Sequence, residues 1–343
     1  MIGRLTALGS VAVAALALAG SAPSAVSAPP AQLLAGTYQT KTGPGVAFEV
    51  NIVDDKMFPA RTTIYVPAGY SLDLSRPSGS TIGQMEAFFY TSSSFVTVFG
   101  PLKTGDPATL PGDPAAQACA PGSHAAFWTA SFKAQGKSHT FRVYVDATTG
   151  GDTALGAYKL VTCFEPPSTG LQLSLFDIAF PGGSVFTAPK NGTYLWRTFI
   201  TPYAGDTSNL GATFEARTRV LIPHVLTVRV RYRTKTQRLL VSGRLTGLGR
   251  ARPNVRITVW AGARSDDLRG FGTAKTRRDG RYSVTRRVRE GRRARLLQVW
   301  VFEREPYARC VEPSTAPAGC VDESLSPPLA QHRQARIPKL RRR

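Results

Sequence analysis

The sequence predicts an all-β protein built as two β-sandwich domains, and three observations predict it. Apolar and polar residues alternate at period two through most of the chain beyond its N-terminus, the period of a strand with one buried face. Clusters of Gly, Pro, Asn and Asp interrupt these runs every dozen residues or so, as turns between short strands do. Charge is divided so unevenly that it marks two units. Residues 217–343 hold 31 Lys and Arg against 9 Asp and Glu, whereas residues 1–216 hold 12 against 13. The net charge of +21 therefore belongs to the second half. A length of 343 residues allows two real cores, and 42% hydrophobic residues is a globular composition.

In chain order, the N-terminus reads as an export signal over residues 1–28. Arg4 supplies the positive start, 8–19 an unbroken small-apolar run, and 24–28 a small-residue exit. Pro29 makes the bond after Ala28 a poor substrate, which leaves cleavage after Ala25 or Ser27 as the alternative. The apolar run is short for a bilayer, so the mature chain is expected to lack a transmembrane segment and to be secreted or periplasmic. Residues 29–34 read as a flexible lead.

The four cysteines, Cys119, Cys163, Cys310 and Cys320, are an even number in a chain expected to be exported. Of three connectivities, locality favours the disulfides Cys119–Cys163 and Cys310–Cys320. No CxxC spacing and no histidine at ligand distance accompany them, so zinc is not expected. No metal or cofactor is expected elsewhere.

The first domain is placed at 36–222. Strand-sized runs fall at 46–53, 62–66, 84–90, 95–99, 125–132, 140–145, 158–164, 171–180, 193–200 and 212–220. The Pro- and Ala-rich stretch 105–122 reads as a long surface loop whose far end Cys119 pins. A boundary falls near Pro223-His224, where composition and charge both change.

The second domain is placed at 225–328, followed by a basic tail at 329–343. Val255, Ile257 and Val259 point one way while Arg256, Thr258 and Trp260 point the other. Arg278-Asp279-Gly280 punctuates the runs 272–277 and 281–289. Asp-Gly supplies the positive φ a tight turn needs, so a hairpin is expected there. Val241, Gly243 and Leu245, then Pro253, Val255, Ile257 and Val259, then Thr276, Asp279, Gly280 and Tyr282 form an ordered pattern. With it the segment resembles the carboxypeptidase regulatory-like or bacterial Ig-like modules of secreted proteins. That resemblance covers about a quarter of the chain. It implies a small Ig-like or prealbumin-like sandwich that carries no catalytic residues.

Catalytic constellations are weak, and no catalytic residue is assigned. His124, His139, His224 and His332 are scattered, and none lies in HExxH or beside a GxSxG elbow. A triad from His124 or His139 with Asp146 or Asp152 and a serine needs a spatial coincidence. A carboxylate pair drawn from Glu49, Asp54, Asp55 and Glu86 is the glycosidase option, although Asp54-Asp55 also reads as an ordinary turn. Asp146 and Asp152 flank a glycine turn without the oxygen-rich spacing calcium wants. Tyr194, Trp196, Trp128, Trp260 and Trp300 are core fillers or a sugar-stacking platform.

The arginines are more informative. Arg229, Arg231 and Arg233 alternate with Val228, Val230 and Tyr232, so a strand there presents three guanidinium groups on one face. Arg287 and Arg289 do the same around Val288. The planar fork of Arg suits phosphate and carboxylate, whereas edge strands also carry charge merely to block pairing. These five residues are the candidate anion-binding set. The expected function is that of a secreted, non-catalytic binding or cell-envelope-associated protein. Its basic second domain contacts a polyanionic surface, either an anionic envelope polymer or lipid headgroups, with carbohydrate as a further class of partner. Nucleic acid matches the charge, but no recognition element is present and export argues against it. A secreted hydrolase of carbohydrates or esters, with its site in the first domain, is the alternative.

Overall fold

Every run expected to be a strand in the first domain is one in the structure. This is a computed structural model that describes residues 30–338 except 41, 92–94, 135, 264–268, 290–294, 305–309, 314–319 and 323–329. The export-signal residues 1–28 and the terminal arginines 341–343 lie outside the described residues. The first half contains β1 (Ala31–Thr40), β2 (Gly43–Ile52), β3 (Pro59–Val66), β4 (Ser71–Leu72), β5 (Thr81–Tyr90), β6 (Phe95–Thr104) and β7 (Ala126–Ala134). It continues with β8 (Lys137–Ala147), β9 (Tyr158–Cys163), β10 (Gln172–Phe180), β11 (Phe186–Thr187), β12 (Gly192–Ala204), β13 (Thr207–Ser208) and β14 (Phe214–Ile222). The second half contains β15 (His224–Arg233), β16 (Arg238–Gly247), β17 (Arg250–Ala251), β18 (Arg256–Gly262) and β19 (Arg269–Lys275). Then come β20 (Arg281–Arg287), β21 (Arg295–Arg304), β22 (Cys310–Pro313), β23 (Cys320–Asp322) and β24 (Ala330–Ile337).

One continuous sheet, ordered β1-β2-β10-β5-β6-β7-β8-β9-β3-β12-β14, makes the first module and rolls so that β1 returns against β14. The roll brings rings from its two layers together. Phe48 of β2 meets Trp196 of β12 at 6.0 Å, Phe180 of β10 meets Trp128 of β7 at 5.3 Å, and Phe141 of β8 meets Phe176 of β10 at 5.4 Å. Burying large rings is the main source of favourable energy in such a core. Residues 105–122 pack on the outside of β7 and β8 rather than standing free. Asp113 caps the short helix α1 (Pro114–Cys119), accepting from the amides of Ala115 and Ala116, with Pro114 at its first position. That helix delivers Cys119 to Cys163, and the disulfide forms as expected, with Cα atoms 5.7 Å apart. The other expected pair, Cys310 with Cys320, involves side chains outside the described residues.

The second module is a smaller sandwich of two sheets. One is β15-β16-β20 with β17 attached to β16, and the other is β19-β18-β21-β24. Leu226, Val228, Leu239, Val241, Leu245 and Val284 of the first sheet face Ile257, Val259, Val299, Val301 and Ile337 of the second. The residues of the Ig-like pattern act together here. Tyr282 sends its hydroxyl across β16 to donate to the Thr227 carbonyl of β15 at 2.8 Å. Gly243 leaves room for that passage, since a Cβ there would meet the Thr227 oxygen at 1.8 Å and the Tyr282 hydroxyl at 2.7 Å. Thr276 ties the module's strands at their ends, accepting from the Val255 amide and donating to the Arg252 carbonyl.

Four expectations are corrected. Residues 29–34 are not a lead, because β1 begins at Ala31 and buries Ala31, Leu33 and Ala35 against the core while pairing with β2 along its length. Arg278-Asp279-Gly280 does form a tight turn, with Gly280 at φ 76°, but its flanking strands do not pair as a hairpin. β19 joins β18 and β20 joins β16, so the turn steps from one sheet to the other. Residues 310–313 and 320–322 do not stay in the second module, since β23 pairs in parallel with β14 and β22 with β23, extending the first module's sheet. Finally, residues 330–337 are not a tail. β24 pairs with β21 and buries Ala335 and Ile337, so alternation with the basic residues supplies an anchor that a contiguous apolar stretch did not.

Candidate polyanion-binding face

Arg229, Arg231 and Arg233 all lie exposed on one face of β15, while Leu226 and Val228 of the same strand fill the core. Register extends that face over the neighbouring strands. Arg233 stands opposite Arg238 of β16, which stands opposite Arg287 of β20. Arg231 is opposite Leu240 and then Thr285, Arg229 is opposite Ser242 and then Ser283, and Thr227 is opposite Arg244 and then Arg281. The result is a sheet face with arginines at both ends and along one side, and hydroxyls between them. At the Arg244 end a shallow hollow of about 690 Å³ opens, lined by Arg229, Arg244, Arg277 and Arg281 around Ser242 and Ser283.

Arg287 therefore joins the β15 row through Arg238. Arg289 does not. It follows the end of β20 and sits exposed beyond the paired rows. Arg238, Arg244, Arg277 and Arg281 belong to the face and were missed from the sequence, where nothing states which strands are neighbours. Arg286 points away from the face and donates to the carbonyls of Gly270 at 2.9 Å and Phe271 at 3.2 Å, stitching the two sheets.

Among the described residues the face is poor in compensating carboxylate. Asp279 accepts from the Arg281 amide, its carboxylate lies 3.6 Å from Arg281 Nε, and its carbonyl accepts from Arg244 Nε at 3.0 Å. Directly opposed like charges on a strand pair are unfavourable, so the Arg233–Arg238–Arg287 row carries a cost in the free protein. Edge protection accounts for charge on β15, which is the outer strand. It does not account for Arg238 and Arg244, because β16 is paired on both sides.

The first module offers other chemistry. His124 Nδ1 lies 2.8 Å from Asp146, but its Nε2 lies 2.8 Å from the Ala120 carbonyl, so no ring nitrogen is left for a serine. His139 is held the same way, between Glu165 at 2.8 Å and the Ala134 carbonyl at 3.2 Å. Asp152 is committed to Lys159 at 3.5 Å. Asp54 shapes a turn by accepting from the Lys56 amide. Glu49 and Glu86, however, do come together. They flank Asp177 in one cross-strand row over β2, β10 and β5 on the outer face of the sheet. Burial, and then the neighbouring carboxylates, push Glu49 up to about 7; burial and Glu86 push Asp177 up to about 6. Among the described residues no group of His, Cys, Asp and Glu has the arrangement to hold a metal ion.

The aromatic platform divides. Trp128 and Trp196 are core residues at 1% and 0% exposure. Trp260, 38% exposed, stands opposite Trp300 on the outer face of β18 and β21. At the junction of the modules, His224 and Glu303 form a fully buried pair, Nε2 to Oε2 3.0 Å.

No family model matches the sequence, and no curated protein matches it. Among solved structures the chain is similar to a tetra-tandem repeat in the extending region of a large adhesion protein. The identity is 12%, with 91% of this chain and 93% of that chain covered and a TM-score of 0.25. It is also similar to the T6 backbone pilin of serotype M6 Streptococcus pyogenes, at 5% identity, 90% and 52% coverage and a TM-score of 0.26. Domains D2 and D3 of the major pilin SpaD from Corynebacterium diphtheriae follow, at 9%, 86% and 97%, and 0.22. At these scores neither shape nor function transfers, and the assignment of β-sandwiches rests on the sheets themselves. Among the described residues no helix is long and apolar enough to cross a membrane.

Proposed function

We propose that this is a non-catalytic, exported binding protein whose second module holds a polyanionic surface against its β15-β16-β20 face. The observation that supports it is the register, which gathers Arg229, Arg231, Arg233, Arg238, Arg244, Arg281 and Arg287 on one face, where among the described residues the carboxylate of Asp279 pairs with Arg281. A concentration of like charge on so small a module raises the local concentration of anionic partners and their on-rates. The like-charge cost within the face is relieved when an anion enters it. Export is supported by the N-terminal signal pattern and the Cys119–Cys163 disulfide, which belongs to an oxidising compartment.

The test uses the full mature chain, because β22 and β23 pair with the first module and a cut at the boundary would break that sheet. Co-sedimentation with vesicles or an anionic polymer column, run from about 50 to 500 mM salt, should show binding that falls steeply with salt. Binding indifferent to salt, or equal binding to neutral vesicles, defeats the proposal.

A further inference from the structure

The spacing of the arginines says which polyanion. Along a strand, residues on one face recur every second position, about 6.8 Å apart. Arg229, Arg231 and Arg233 therefore form a straight row of positive charges at that interval. Arg244 and Arg281 lie one step beyond one end of the row, and Arg238 and Arg287 lie beside the other. The whole track runs roughly 20 Å along the strands and is about 10 Å wide across three of them. Two residues of extended backbone are about six covalent bonds from Cα to Cα. A phosphodiester chain with three carbons between phosphates is likewise about six bonds from phosphorus to phosphorus, and extends to a similar length.

We infer that the face takes a linear polyol-phosphate chain lying parallel to β15, its successive phosphates matched to Arg229, Arg231 and Arg233. This rests on the polyanion reading and narrows it to one polymer chemistry. Arg binds phosphate through its two-pronged fork. At the Arg244 end, Ser242 and Ser283 place hydroxyls within the guanidinium hollow, suited to phosphate oxygens or the hydroxyls of the polyol. A nucleic-acid strand shares the phosphate repeat, but its bases need aromatic faces to stack on. The outward positions of β15, β16 and β20 hold arginine, serine, threonine, leucine and valine and no aromatic ring, and Tyr282 of β20 points inward into the core. The base-free polymer is thus the better fit.

The full mature chain is titrated at 150 mM salt with glycerol-phosphate oligomers of one to six units, with single-stranded DNA of equal phosphate count, and with a heparin oligosaccharide. Affinity should rise at least tenfold from one phosphate to four. DNA should bind no tighter than the oligomer of equal charge, and heparin should bind more weakly. Arg231→Ser should lower affinity for the four-unit chain several-fold while leaving binding of the single unit unchanged. Tighter binding of DNA or heparin, no gain with length, or no effect of Arg231→Ser overturns the polyol-phosphate assignment and leaves the polyanion reading standing. Failure of every polyanion to bind defeats both.

Discussion

The two modules solve the same folding problem with opposite outward halves. Both bury one face of each strand, the first under aromatic rings such as Phe48, Phe176, Phe180, Trp128 and Trp196, the second under Leu239, Val241, Ile257, Val259 and Val301. Facing outward, the first presents the carboxylate row Glu49–Asp177–Glu86, the second rows of arginine. Inward residues decide that each is a sandwich. Outward residues decide what each meets, and they do so only once register has placed strand beside strand.

The difference is open to attack at three points. The largest effect is expected at the first module's disulfide. Cys119 and Cys163 are 44 residues apart, and closing a loop of that size removes about 4 kcal/mol of chain entropy from the unfolded state. Replacing both with Ser should lower the first module's unfolding midpoint in denaturant and leave the second module's hydrogen-exchange protection in place. Equal loss of protection in both would mean that the modules unfold as one unit.

A smaller loss, confined to the second module, is expected from Gly243→Ala. The new methyl would meet the Thr227 carbonyl, a backbone atom, so the strand β15 itself would have to shift. Such overpacking costs about 2 kcal/mol, and parting β15 from Tyr282 should weaken anion binding as well. A variant as stable as the parent would show that β15 is not held as described.

The smallest effect is a gain. Glu49 and Asp177 are raised in the folded state to about 7 and about 6, so the folded chain holds protons that the unfolded chain releases. Their contribution is therefore fully present near pH 4 and is lost as pH rises through 6 and 7. Glu49→Gln should stabilise the first module at pH 8 by on the order of 1 kcal/mol, after allowing for partial solvation, and flatten its stability between pH 5 and 8. Thermal melts across that range check it. An unchanged slope would mean that Glu49 titrates as an ordinary exposed carboxylate. The arginine face of the second module should show no matching dependence over this range, since guanidinium stays charged throughout.

Much of this architecture was legible in the sequence. Period-two alternation located the first module's long strands from residue 46 onward, because burial on one face forces it. The Ig-like pattern located the second module's turns and its tyrosine. What was not legible depends on neighbours distant in sequence. The Asp279-Gly280 turn looks like a hairpin locally, and only the separate partners of β19 and β20 make it a sheet-to-sheet step. β1 follows directly on the small-apolar residues of the export signal, which hid its alternation of Ala31, Leu33 and Ala35. For the candidate site, three arginines on β15 were readable because one strand carries them. Arg238, Arg244 and Arg281 were not, because their membership is a fact of pairing. Glu49 and Glu86 were noted separately, and Asp177, the residue that joins them, lies on a strand more than 80 positions later in the chain.

The central claim is that polyanion binding belongs to one face of the second module and not to net charge. Two triple variants of the full chain separate these. Arg229, Arg231 and Arg233 changed to Ser empty the β15 row. Arg256 and Lys275 on the opposite sheet, together with Lys103 on β6 of the first module, changed to Ser remove the same charge from exposed positions away from that row. Measured side by side against one anionic polymer at 150 mM salt, the first should lose at least tenfold in affinity and the second no more than about twofold. Equal losses would contradict the account and leave only a basic protein.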